Sequence, residues 1–103
     1  MTPEEEVLRR SIEKVLQDYQ EDDFPDLERR EVREEIARQV TLEALTLREE
    51  EVEIDAGKIK ALFMRALGEC LRNLPFTVDA ASSEFREKVI SSAIMSLRAE
   101  EVK

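Results

Sequence analysis

Ile59, Leu62, Phe63, Leu67, Cys70, Leu71 and Leu74 follow one another at intervals of one, three and four residues, with Ala66 filling in. At 3.6 residues per turn this spacing gathers them on one face of a helix. It is the strongest periodic signal in the chain, and it predicts a helix over about 56–74. The remainder is suited to the same fold class. Two Gly and three Pro leave few breaks in 103 residues, and 40% charged residues suit long solvated helices. Aromatic residues make up only 5%, so the core has to be aliphatic. The expected fold is all-α, a single-domain bundle of about four helices.

The other three helices can be read from caps and spacing. Thr2 can cap a first helix with Pro3 at its first position and Glu5 three residues after the cap, a capping box. Glu4, Glu5 and Glu6 also suit the positive end of the helix dipole. Leu8, Ile12, Val15 and Tyr19 form its seam, with Val7 and Leu16 widening it, over about 3–20. Pro25 disfavours a helical conformation at Phe24, so the chain breaks there, and either Asp23 or Asp26 can cap a second helix over about 26–48. Leu27, Val32, Ile36 and Val40 mark its face, extended by Ala37, Ala44 and Leu45. Asp55 is the cap expected for the third helix, which Pro75 ends. Gly68 costs that helix about 1 kcal/mol against Ala, and a glycine there is consistent with close approach of another helix. Asp79 or Ser82 can cap a fourth helix over about 80–100, whose stripe is Phe85, Val89, Ile90, Ala93, Ile94 and Leu97.

Most catalytic chemistry is excluded by composition. With no His, Ser–His and Cys–His nucleophile arrangements are impossible, and the commonest metal ligand is missing. One Cys cannot build a zinc site of thiolates, and two scattered glycines make no phosphate loop. No cofactor is expected. Carboxylates are what remains. Glu49, Glu50 and Glu53 fit the E-E-x-x-E pattern that magnesium-dependent all-α nucleotide pyrophosphatases of the MazG type carry on one helix. Such enzymes also need an E-x-x-D pair on a following helix. Here Glu69 is followed three residues later by Arg72, and Glu84 by Glu87. That departure makes an enzyme the remote alternative, and the cluster reads as a solvated linker.

A net charge of −9 disfavours direct binding to nucleic acid or to an anionic membrane. It suits a soluble surface, or an acidic inhibitor that imitates nucleic acid and blocks a basic groove on a partner. Cys70 on its own points to a reducing compartment, and the acidic N-terminus is unlike a secretory signal, so the cytoplasm is the expected location.

Binding to other protein chains is the leading expectation. The third helix is apolar over a broad arc, Met64 included, and small domains with wide stripes complete their cores by association. The expected interface is Leu8, Ile12, Val15 and Tyr19 on the first helix and Ile59, Leu62, Phe63, Met64, Leu67 and Leu71 on the third. Phe85 and Ile94 on the fourth complete it. The expected partners are a second copy of the chain and another protein.

The segment Leu42-Glu43-Ala44-Leu45-Thr46-Leu47-Arg48-Glu49-Glu50, followed by Val52-Glu53-Ile54-Asp55, leads to Ile59, Phe63, Ala66-Leu67 and Leu71-Arg72-Asn73-Leu74-Pro75. Over about residues 40–75 this resembles the region after the DNA-binding domain in small terminase subunits of lambdoid tailed phages. There a charged helix, an acidic linker and an amphipathic helix ending in Leu-Pro follow one another. The resemblance implies an oligomeric, non-enzymatic adaptor in DNA packaging that contacts a larger ATPase–nuclease subunit. The N-terminal helix-turn-helix of that family is not evident here, which removes the expected DNA contact.

Overall fold

The computed structural model describes residues 2–19, 26–27, 29–47, 55–72 and 82–101. They form four helices, α1 (Pro3–Gln17), α2 (Arg30–Leu47), α3 (Ala56–Leu71) and α4 (Ser83–Glu101).

Local chemistry accounts for the starts of α1 and α3. The Thr2 hydroxyl accepts from the Glu5 N–H at 3.2 Å, and the Glu5 carboxylate accepts in return from the Thr2 N–H, closing the expected capping box. Asp55 caps α3 by accepting from the Lys58 N–H at 3.2 Å. Ser82 directly precedes α4, and its carbonyl accepts from the Arg86 N–H. Asp79 and Pro75 lie outside the described residues, as does Asp23.

The start of α2 differs from expectation. Asp26 does not cap it. Asp26 closes a turn by accepting from the Arg29 N–H, and α2 begins only at Arg30, with the Arg29 carbonyl accepting from the Arg33 N–H. Leu27 supplies the reason, being 1% exposed. Burying a leucine stabilises by about 1.5–3 kcal/mol, more than a cap at Asp26 offers. Arg33 Nη1 then donates to the Leu27 carbonyl at 2.7 Å and pins the turn.

α1 packs on α2 and α4, and α3 packs on the same two helices, so the four stand at the corners of a square. Arg98 near the end of α4 bonds Glu5 near the start of α1, and Lys58 at the start of α3 reaches Glu100 near the end of α4. α4 therefore runs antiparallel to both α1 and α3. Each stripe points into one shared core: Leu8, Ile12 and Leu16 from α1, Ile36, Ala37, Val40 and Ala44 from α2, Leu62, Phe63, Ala66 and Leu67 from α3, and Val89, Ala93 and Leu97 from α4. The radius of gyration, 12.9 Å, is what a self-contained chain of about 100 residues adopts.

Gly68 does not mark a helix contact. A Cβ built on it meets nothing within 4 Å, and the residue is exposed.

Candidate functional site

The residues expected to meet a partner are largely consumed by the chain's own core. Leu8, Ile12, Val15, Ile59, Leu62, Phe63, Leu67, Leu71, Phe85 and Ile94 are all buried, and none of them exceeds 8% exposure. Tyr19 and Met64 are partly buried against the same core. These side chains are brought together, but in the bundle interior instead of on a surface. The breadth of the α3 stripe has a simple cause: α3 faces both α2 and α4, and covering two neighbours takes a wide arc.

The surface that the described helices present is made of their outer faces. Their charges form a lattice of pairs along each helix. On α1, Arg9 donates to Glu6 and, at 2.9 Å, to Glu13, while Arg10 donates to Glu6 at 3.0 Å. On α2 the pairs are Arg30–Glu34 and Arg38–Glu35, on α3 Arg65–Glu69, and on α4 Lys88–Glu84. Hydrogen bonding from Arg9 first, with a smaller contribution from Arg10, holds the Glu6 carboxyl below its ordinary 4.5. Arg38 does the same for Glu35. Among the described residues the large apolar side chains left exposed are Leu42 on α2, 52% exposed, and Met95 on α4, 69% exposed. They sit on diagonally opposite helices and form no common patch.

Net charge is distributed unevenly along the sequence. Residues 20–28 contain Glu21, Asp22, Asp23, Asp26 and Glu28 and no base, and residues 48–54 contain four Glu against Arg48. These two connecting segments hold eight of the nine net negative charges, whereas the helices are close to balance.

Two grooves flank α4. One, about 360 Å³, lies against α1 and is lined by Arg9, Glu13, Arg86, Glu87, Ile90 and serines 83 and 91. Its two arginines are matched by two carboxylates, so it favours no charged ligand. The other runs along the outer side of α4 past Glu84, Lys88, Ser92 and Met95. Among the described residues no group of three Asp, Glu or Cys is placed to hold a metal ion. Glu49, Glu50 and Glu53 lie outside those residues. Cys70 is only partly buried beside the core, and burial first, then the Glu69 charge, raises its thiol above the usual range. No described helix is long and apolar enough to cross a membrane.

Family models, curated proteins and solved structures give no match to this chain.

One constellation has no signal in the sequence. Glu5 is 2% exposed, and its carboxylate accepts from Arg98 Nε at 2.9 and 3.3 Å. The two residues are 93 apart, beyond the reach of any spacing rule. Beside them Lys58 Nζ lies 4.0 Å from Glu4 and 3.9 Å from Glu100. The first turns of α1 and α3 and the last turn of α4 thus meet in one polar cluster. The Arg98 hydrogen bond is the main reason the Glu5 carboxyl sits below 4.5. The Thr2 N–H and the charges of Arg98 and the amino terminus add to it, against the opposing effect of burial.

Proposed function

We propose that this chain is a non-enzymatic helical adaptor that presents the outer faces of its bundle to another protein. The observation supporting this best is the division of labour among its side chains. The apolar stripes close one core within a single chain, and the outer faces carry mixed-sign pairs around two isolated apolar side chains, Leu42 and Met95. Paired charges around such apolar anchors suit a polar interface in which electrostatics sets partner choice.

The more specific form of the proposal is the packaging adaptor implied by the resemblance over residues 40–75, acting in the cytoplasm on a larger ATPase–nuclease subunit. Copies of the chain would then associate through the outer faces, since Ile59, Phe63, Leu67 and Leu71 are buried in their own subunit. A direct test is surface plasmon resonance against the proteins encoded beside this chain. The adaptor reading expects saturable binding that Leu42→Glu or Met95→Glu weakens and that salt affects modestly. Binding indifferent to both substitutions would count against it.

The second reading, an acidic inhibitor that blocks a basic surface, is favoured by the acid concentrated in residues 20–28 and 48–54. The mixed-sign helix faces weigh against it, because imitation of a phosphate backbone needs an array of one sign. Affinity that collapses between low and moderate salt while ignoring Leu42 and Met95 would select it. Calorimetry with Mg²⁺ addresses the remaining enzyme branch. The proposal expects no binding heat, and binding lost in Glu50→Ala or Glu53→Ala would replace it with nucleotide hydrolysis.

A further inference from the structure

The polar cluster where α1, α3 and α4 meet suggests more than a brace, and the inference drawn from it does not depend on the adaptor reading. Its cross-helix contacts among the described residues are Arg98–Glu5, Lys58–Glu4 and Lys58–Glu100, and in each the anion is a carboxylate of α1 or α4. Glu5 is central, because it alone of these acids is buried, at 2% exposure. The charged groups around it are Arg98 and Glu100 from α4, Lys58 from α3, and Glu4 and Glu6 on its own helix, with Arg9 and Arg10 engaged by Glu6. We propose that this cluster is an acid-released latch: protonation of Glu5 breaks its pair with Arg98 and lets the first turns of α1 part from the last turns of α4 while α2 and α3 stay packed.

A buried carboxylate is tolerated because a guanidinium and a backbone N–H satisfy it. Once neutral, it gives up the charge-assisted bond, and the Arg98 guanidinium, 59% exposed, is left to the solvent. Leu8, three residues after Glu5, and Leu97, next to Arg98, are buried and become the first apolar surface to be uncovered. The α2–α3 side has no described cross-helix ion pair of this kind, so acid does not act on it in this way. The depressed Glu5 carboxyl places the release below 4.5, the value of an unperturbed glutamate.

Amide hydrogen exchange by NMR on the whole chain tests the latch. Protection factors are compared between neutral pH and about pH 3.5, below the unperturbed 4.5. The latch requires the amides of Leu8, Ile12 and Leu97 to lose protection at a higher pH than those of Val40, Phe63 and Leu67. Glu5→Gln at neutral pH should already show that selective loss, with little added by acid. Should that variant fail to fold, Arg98→Gln serves the same purpose, and the wild-type pH series stands without either. Simultaneous loss at all six amides in the wild type, or a folded Glu5→Gln with wild-type protection at neutral pH, overturns the proposal.

Discussion

Gly68 lies in the last turn of α3 with open space where a Cβ would be. Its only consequence is the loose backbone of a glycine in a helix, so Gly68→Ala raises the unfolding free energy by about 1 kcal/mol. Urea unfolding followed by circular dichroism reads this directly, and destabilisation would reveal a packing role for the glycine. At the same scale, the raised thiol of Cys70 makes it a slow nucleophile. Iodoacetamide labelling at pH 8, followed by mass spectrometry, should run slower than on an unfolded cysteine peptide and reach the peptide rate in urea. The helical side of Gly68 was legible in the sequence but its surroundings were not, because spacing reports which face a residue takes and not what stands opposite.

The elements divide into those set by local chemistry and those set by burial. α1 and α3 start where Thr2 and Asp55 cap them, and Thr2→Ala is expected to cost about 1 kcal/mol in thermal or urea unfolding. α2 starts three residues later than a cap at Asp26 allows, because Leu27 is drawn into the core first, and no local rule registers that preference. α1 carries two of the three lowered carboxyls among the described residues, and α2 the third. Glu5, Glu6 and Glu35 have carboxyls lowered from 4.5 by Arg98, Arg9 and Arg38 respectively. A lowered folded-state value contributes stability that is complete above the unfolded value and lost as pH falls through the folded one. The urea midpoint should therefore hold steady down to about 4.5 and decline below it. Glu5→Gln should lower the midpoint at neutral pH and reduce the decline on acidification. An equal offset at every pH would mean that Glu5 acts through packing alone.

At the scale of the whole molecule, the four helices and their inward faces follow from apolar spacing, since a stripe repeating at 3.6 residues has only one face to bury. The destination of the stripes does not follow from it. A stripe that meets a second copy and one that meets the chain's own neighbouring helices share the same spacing, and only the square packing of α1 to α4 distinguishes them. For the same reason the outer faces, which carry the proposed function, were not singled out: their paired charges read in sequence as ordinary solvated helix surface. The packing assigns contrasting effects to two groups of substitutions. Phe63→Ala opens a cavity in the core and costs about 3–5 kcal/mol. Leu42→Glu and Met95→Glu shift the unfolding free energy by less than about 0.5 kcal/mol, because neither side chain is buried.

The central claim is that one chain completes its own core. The most direct test is the urea midpoint measured over about a hundredfold range of protein concentration, because folding that needs a second copy is concentration-dependent by mass action. A constant midpoint is the predicted result. A midpoint that climbs with concentration would contradict it, by showing that the stripes are covered between chains.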